Sequence, residues 1–511
     1  MTTKHIFIRF IMLSALFVFA LTATKAQLAD NLPKRELRAV WLTTLGGLDW
    51  PSVPATSEAN IARQKQELCT MLDQLKAANF NVVVMQVRIR GTVAYRSQIE
   101  PLDAAVFGSK PAFSDYDPLA FAVEECHRRG MQLHAWVVAI PGNKTSQLKA
   151  LGASALNRRV PNLVLKTSDG YMLDPGVPET ANYLATICEE ITNNYDIDGI
   201  SLDYIRYPEK EVRYSDANTY RKYATHNQPL AQWRRENINR IVKTIHDRVK
   251  ALKPWVCISC SPVGKYADTQ RYSSGGWNAL NAVHQDAKLW LREGWMDALM
   301  PMMYFRDNHF YPFAHDWQEG VANPLVACGL GVYLLDKSQK DWPLSVMESE
   351  INYCRQHNIG GQVYFRARFV TNNPKGIYDL LQRNLYRTPA LPPALPSMQN
   401  EEPHKIAFEA APTNGQITET DNGITLSWSV DSAYKFVLYR SSTYPVDTSD
   451  PNNIYKVGIA EPKYHIAAPM LKEWLPYFAV TAIDRYGNES QPLALNAPIE
   501  FKQFNYLQIS R

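Results

Sequence analysis

The chain has 511 residues, 46% of them hydrophobic and 20% charged, with a formal net charge of +4. That composition is globular, the length accommodates two or three domains, and the nearly neutral balance gives no reason to expect a nucleic-acid partner or an anionic membrane surface. The longest basic runs are pairs such as Arg128-Arg129 and Arg234-Arg235, read as solvated helix faces. At the N-terminus, Lys4 and Arg9 precede an apolar run from Ile11 to Leu21, and Thr24-Lys25-Ala26 offers small residues where a signal peptidase reads. The run is short for a bilayer span, so residues 1–26 are expected to be a cleaved signal peptide. The mature chain is then periplasmic or secreted, with no membrane span.

Residues 34–385 alternate short apolar runs with amphipathic helical stretches. Eight strands are expected: Ala39–Thr44, Val82–Arg88, Gln132–Val138, Gly199–Asp203, Val256–Ser261, Ala298–Tyr304, Val326–Tyr333 and Gln362–Ala367. Helical patterns such as Ile61–Asn79 and Trp233–Leu252 separate them. Helical crossovers imply parallel pairing, and eight strands close a (β/α)₈ barrel. A doubly wound open sheet is the other α/β solution, but no glycine-rich loop follows the first strand.

Strand side chains alternate between faces. Val83, Met85 and Val87 oppose Gln86 and Arg88; Leu133, Ala135 and Val137 oppose Gln132 and His134; Ile200 and Leu202 oppose Ser201 and Asp203. Ser259 and Ser261 share a face, and Val363 and Phe365 oppose Gln362, Tyr364 and Arg366. The apolar set is expected to meet the helices. The polar set is expected to point into the barrel and to grow toward the strand C-termini, where barrel active sites form.

Beyond this region Thr388-Pro389-Ala390-Leu391-Pro392-Pro393-Ala394-Leu395-Pro396 reads as a stiff linker, taken as 386–404. Residues 405–503 then show only short alternating strands, including Ile424–Trp428 and Lys435–Arg440. The stretch Leu475–Asp484 resembles the tyrosine-corner strand of a fibronectin type III module. The fold class is therefore α/β, a (β/α)₈ TIM barrel with a C-terminal all-β, immunoglobulin-like sandwich. The seven cysteines are odd in number and show no framework spacing. They read as small buried residues, Cys257 and Cys260 included.

The densest chemical signal is Tyr195 through Pro208, where a buried strand delivers Asp203 to the barrel mouth with Arg206 beside it. Glycosidic cleavage needs one carboxyl group to protonate the leaving oxygen and a second to face the sugar or a water. Asp203 suits one of these roles, and Arg206 is expected to hold it ionised.

The barrel region resembles the bacterial glycosyl-hydrolase-like family ten. The resemblance is carried by Arg38-Ala39-Val40-Trp41-Leu42-Thr43-Thr44, Leu48-Asp49-Trp50-Pro51, Val87-Arg88, Leu133-His134-Ala135-Trp136, Leu173-Asp174-Pro175-Gly176, Tyr195 through Pro208, and Met296 through Tyr304. It implies a barrel glycosidase acting on a bacterial glycan, with peptidoglycan glycan strands favoured. The family often carries His-Phe-Asp-Asp in the fourth-strand motif; here Ser201-Leu202-Asp203-Tyr204 keeps the first aspartate only. Against chitinase-like barrels, Ile205 falls at the catalytic glutamate, which argues against that mechanism.

Asp307, just past the sixth strand, is the expected second carboxylate, followed by Asp49 and Asp174, with Glu100 weaker and Asp297 structural. Expected substrate-binding residues are Asp49, Trp50, Arg88, Tyr95, His134, Trp136, Asp174, Arg206, Tyr207, Tyr304, Tyr364 and Arg366. Tyr204, Phe310 and Tyr311 also lie among the strand-end aromatics, on which sugar rings can stack. No metal-ligand spacing surrounds His134, so neither metal nor cofactor is expected, and the partner is a polysaccharide or oligosaccharide. The alternative is a non-catalytic glycan-binding barrel. A deacetylase would need metal ligands that the sequence does not supply.

Overall fold

The computed structural model describes residues 32–109, 112, 115–395, 411–430, 435–471 and 476–496. The expected signal peptide and residues 396–404 of the expected linker lie outside these.

Eight parallel strands form one curled sheet: β1 (Leu37–Leu42), β2 (Val82–Arg88), β3 (Gln132–Val138), β4 (Gly199–Asp203), β5 (Cys257–Cys260), β6 (Ala298–Leu299), β7 (Cys328–Leu330) and β8 (Gly361–Phe365). β8 pairs with β1, and single bridges from Leu299 to Val326 and from Met302 to Gly329 join β6 to β7, so the ring closes. The sixth strand is shorter than expected because Pro301 has no N–H to give the ladder, which continues beyond it only as isolated bridges.

The outer helices start where the chain supplies caps. α1 (Glu58–Ala77) begins at Ser57, whose hydroxyl accepts the Asn60 N–H. α2 (Pro118–Arg128) begins at Asp117, which accepts from Leu119 and Ala120, with proline at the first helical position. α3 (Glu179–Asn194) and α4 (Leu230–Leu252) complete the layer around β4, and α5 (Ala287–Arg292), α6 (Tyr311–Asp316) and α7 (Leu344–Gln356) follow β5, β6 and β7.

Val83, Met85, Val87, Leu133, Ala135, Val137, Ile200 and Leu202 face these helices in the main core, as their alternation implies. The eighth strand is inverted relative to expectation. Val363 and Phe365 join Trp41, Val84, Trp136 and Met300 inside the barrel, while Tyr364 packs outside on Phe80 and Tyr386. Outward polar groups find partners there: the Tyr364 and Tyr386 hydroxyls bond each other, and Tyr386 donates to the Gln362 side-chain oxygen.

Between β3 and α3 the chain makes a three-stranded antiparallel excursion from Pro141–Lys144, Val164–Thr167 and Gly170–Leu173 that the sequence reading did not isolate. Its Asp169-Gly170 turn needs glycine, since at φ +155° a Cβ on Gly170 would strike the Asn143 carbonyl.

Residues 388–395, expected as linker, lie across the N-terminal end of the barrel. The Leu391 N–H donates to the Lys34 carbonyl and its own carbonyl accepts from Glu36, Asn81 donates to the Ala390 carbonyl, and Leu395 is buried with Cys257, Ala298 and Leu325. Truncation after Arg387 should therefore lower the thermal midpoint, and truncation after Leu395 should largely restore it. Equal midpoints by calorimetry would show that the segment adds nothing to the barrel.

The C-terminal region packs a three-stranded sheet (Gly423–Ser429 between Thr413–Thr420 and Lys463–Ala467) on a four-stranded one (Ile454–Ile459, Lys435–Ser441, Tyr477–Ile483, Leu493–Ala494). Leu426, Trp428, Leu438 and Val480 share its core. It docks on the barrel's N-terminal end through Arg485–Asp196 and Lys34–Glu489 pairs, both at 2.6 Å. A cavity of about 270 Å³ lies in this seam, at the opposite end from Asp203.

Six cysteines are buried and Cys69 is partly so. On α7, Glu350 is buried with neither carboxyl oxygen hydrogen-bonded, and burial, with Cys354 and Asp307 nearby, pushes its pKa well up. A carboxyl group whose pKa is raised by folding costs stability as pH rises above its unfolded value. Glu350→Gln should therefore stabilise by about 1–3 kcal/mol at pH 8 and by little at pH 4. Identical melting shifts at the two pH values would refute this.

Candidate active site

The C-terminal ends of β3, β4 and β5 converge on Asp203. Trp136 Nε1 donates to Asp203 Oδ2 at 3.1 Å, and the Tyr204 backbone N–H donates to Oδ1 at 2.7 Å. Tyr204 adopts φ +50°, an uncommon conformation for a tyrosine, of the sort found where a site over-determines its backbone. Burial raises the Asp203 pKa. The Arg206 charge, the Tyr204 N–H, the nearby Ser261 hydroxyl and Trp136 oppose that rise without cancelling it. The expectation that Arg206 dominates is thus corrected: desolvation is the larger effect, and the carboxyl is biased toward its protonated form.

Arg206 is 4% exposed, lies over the Tyr204 ring at 4.5 Å and pairs with Glu209 at 2.6 Å. Glu209 was not singled out from sequence, although its place three residues past Arg206 on the same loop was the available signal.

An aromatic wall from β6, β7 and β8 faces this group. Tyr304 contacts Tyr333 at 5.8 Å and Phe365 at 5.5 Å, and Phe365 contacts Trp41 at 6.1 Å. Burial and the Asp203 charge raise the Tyr304 pKa well above its ordinary value. Tyr333 and Phe365 were missed in the sequence, Phe365 because the β8 parity was inverted.

Two clamps hold the rim. Asp49 accepts from the Thr43 backbone at 2.9 Å, from the Arg368 backbone at 3.1 Å and from the Arg366 guanidinium, fastening the β1 end to the β8 end. Arg88 is fully buried, makes a two-point contact with Glu100 at 2.7 and 2.8 Å, and donates to the Val138 and Ala139 carbonyls. Gln86 accepts from the Thr43 hydroxyl and the Leu45 backbone, tying β1 to β2.

Arg88, Trp136, Asp203, Arg206 and Tyr304 are therefore together, with Asp49 and Arg366 at the rim. Other expected site residues lie elsewhere. Asp307 is turned outward, 78% exposed, with Arg306 at 3.4 Å as its ion-pair partner; its Coulombic influence reaches Glu350 and Tyr311 rather than Asp203. The 3₁₀ turn at Asp307–His309, with Asp307 at φ +55°, directs that side chain away from the mouth. Trp50 is buried in the outer core and donates to the Gln64 carbonyl on α1. Tyr95 bonds Glu190 on α3, and Tyr207 bonds Asn237 on α4. Asp174 caps its own turn through the Gly176 N–H at 2.8 Å. His134 sits at the N-terminal end of β3, where a Cβ on Gly199 would approach its ring to 2.6 Å; burial lowers its pKa to about 4. Phe310 is core, and Tyr311 stacks on Tyr353.

Among the described residues no cluster of three or more His, Cys, Asp or Glu side chains is placed to hold a metal ion, and no helix is long and apolar enough to cross a membrane.

The glycosyl hydrolase-like 10 family model matches residues 36–326. The chain is 28% identical over 505 residues to the glycosyl hydrolase YngK of Bacillus subtilis (strain 168), spanning 91% of this chain and 94% of that protein. It is 29% identical over 374 residues to the glycosyl hydrolase DigH of Escherichia coli (strain K12), spanning 66% and 84%. The glycoside hydrolase domain of PgaB (BpsB) from Bordetella bronchiseptica superimposes with a TM-score of 0.47 at 12% identity, covering 68% of this chain and 98% of that one.

Proposed function

Because the chain belongs to the glycosyl hydrolase-like 10 family, we propose that it hydrolyses glycosidic bonds of a bacterial glycan, peptidoglycan glycan strands foremost, with Asp203 as the proton donor. One observation carries the reading: a buried carboxyl at the end of β4 whose pKa is raised, bonded by Trp136 and facing an aromatic wall. A general acid must be protonated near working pH, and burial is how proteins arrange that. Glu209 takes the second role. Held by Arg206 at the edge of the mouth and 27% exposed, it can meet a water on its way to the anomeric carbon. Tyr304, Tyr333 and Phe365 offer faces to sugar C–H surfaces.

The C-terminal sandwich serves as a fibronectin type III-like docking module. Its three-on-four strand order supports that reading. Residues 1–26 direct export, so the barrel meets its glycan outside the cytoplasm. The test is reducing-end release from a panel of bacterial glycans, with Asp203→Asn as control. Binding without release by the wild type would instead favour a non-catalytic glycan-binding barrel.

A further inference from the structure

Tyr304 stands on the wall that faces Asp203, and packing fixes its ring. The β6 ladder continues past Pro301 through bridges from Met302 to Val263 and Gly329, so Tyr304 keeps the inward parity of Met300 and packs in the same cluster inside the barrel. Tyr333 meets the ring edge-on and Phe365 lies tilted against it, with ring centres 5.8 and 5.5 Å away.

The hydroxyl sets Tyr304 apart. Other barrel tyrosines beside a carboxylate bond it: Tyr95 bonds Glu190 at 3.0 Å, Tyr183 bonds Glu100 at 2.8 Å and Tyr195 bonds Asp117 at 2.6 Å. Tyr304 is close enough to Asp203 for the carboxylate charge to act on it, yet the two share no hydrogen bond, and Asp203 is held instead by Trp136 and the Tyr204 N–H. Among the described residues the Tyr304 hydroxyl has no hydrogen-bond partner, and it is not sealed in the core, so it opens onto the barrel mouth. Tyr333 feels burial alone, and the Tyr204 ring lies under the Arg206 guanidinium. A partly buried hydroxyl without a partner is unfavourable, and a fold keeps one where water or a ligand completes it. Burial and the Asp203 charge hold this phenol neutral.

As a glycosidic bond breaks, positive charge spreads over the anomeric carbon and the ring oxygen, and a hydrogen bond from the group on the neighbouring carbon, C2, strengthens. A neutral oxygen placed to accept it binds the transition state more tightly than the substrate, which is what raises kcat. We propose that Tyr304 is a further catalytic residue, its phenol oxygen accepting a hydrogen bond from the C2 substituent of the sugar being cleaved. The inference rests on the glycan-cleaving reading and adds to it a second contact with the reacting sugar, beside the proton from Asp203.

The test is the rate of reducing-end release from borohydride-reduced, peptide-free peptidoglycan strands by wild type, Tyr304→Phe and Tyr304→Ala, each well below its thermal midpoint. Phenylalanine keeps the ring against Tyr333 and Phe365 and loses only the oxygen. Tyr304→Phe should lower kcat by at least about tenfold with KM changed by less than about threefold. Its thermal midpoint should be unchanged or higher, and its alkaline pH limb should stay where the wild type has it, because a neutral phenol puts no charge on Asp203. Tyr304→Ala should raise KM as well, since the stacking face goes with the hydroxyl. A kcat for Tyr304→Phe within about threefold of wild type overturns the proposal, as does a loss confined to KM, which would make the hydroxyl a ground-state contact. A displaced pH limb also overturns it, since Tyr304 would then act through Asp203 and not on the sugar. Wild type that releases no ends sinks the glycan-cleaving reading and this proposal together, whereas an active wild type matched by Tyr304→Phe removes Tyr304 alone.

Discussion

Asp203→Asn should lower glycan turnover by about 10²–10⁴-fold, the usual range for a general acid, while leaving the thermal midpoint at neutral pH unchanged or slightly higher. The two halves of that expectation share one cause. Burial raises the carboxyl's pKa, so the ionised form is the one the fold disfavours. An amide has nearly the same shape and carries no charge to desolvate, and its one oxygen still accepts from either the Trp136 or the Tyr204 N–H, so the removed charge offsets the one hydrogen bond lost. For activity the sign is the reverse of a general base: the rate falls as pH rises through the folded pKa, and in the mutant this alkaline limb disappears. Arg206→Gln moves the limb to higher pH, since the Arg206 charge is what holds the Asp203 pKa down against burial. A mutant with the wild-type rate, or one that loses activity only because it melts early, would remove Asp203 from the centre of the mechanism. Glu209→Gln should slow hydrolysis without shifting the Asp203 limb as far, because Glu209 faces the guanidinium rather than the carboxyl.

How much of this was legible in the sequence depended on whether the governing partner was local. β2, β3 and β4 have the bounds their alternation implies, because an apolar set facing the helices runs the whole length of each. β8 follows the same rule of alternation but reads backwards. Gln362 and Tyr364 are polar and face outward because Tyr386, more than twenty residues on, is there to bond them. Trp50, Tyr95 and Tyr207 lie just past strand ends, as a substrate platform would, but the chain turns each toward a helix that offers an acceptor or donor. Asp307 points away for a similar reason: eight residues beyond the end of β6, the direction of a side chain is set by a turn rather than by strand parity. The position of Asp203 at the barrel mouth was legible because it is the last residue of its strand, where parity still holds.

The rim carries a second large expectation. Glu100→Ala should cost about 3–5 kcal/mol, the range for removing one partner of a buried ion pair. Arg88 would remain fully buried with its counter-charge gone, and Tyr183, which donates to Glu100 at 2.8 Å, would lose its acceptor too. Wild-type stability should also depend on acid in a defined direction. Burial alone would push the Glu100 pKa up, but the Arg88 charge and hydrogen bond, with help from Tyr183 and Arg159, outweigh it and the net shift is downward. A carboxylate with a depressed folded pKa stabilises the fold fully above its unfolded value near pH 4.3, and loses that contribution as pH falls through the folded value. Melting curves of Glu100→Ala should therefore lie well below wild type at pH 7 and converge toward it on acidification. The effect should also reach the chemistry. Arg88 holds the Val138 and Ala139 carbonyls, the backbone next to Trp136, and Trp136 holds Asp203. At a temperature where the variant stays folded, its kcat should fall while the pH limb assigned to Asp203 shifts. A variant that melts like wild type at pH 7 would show that Arg88 finds another partner, and the clamp would then have no part in positioning the site.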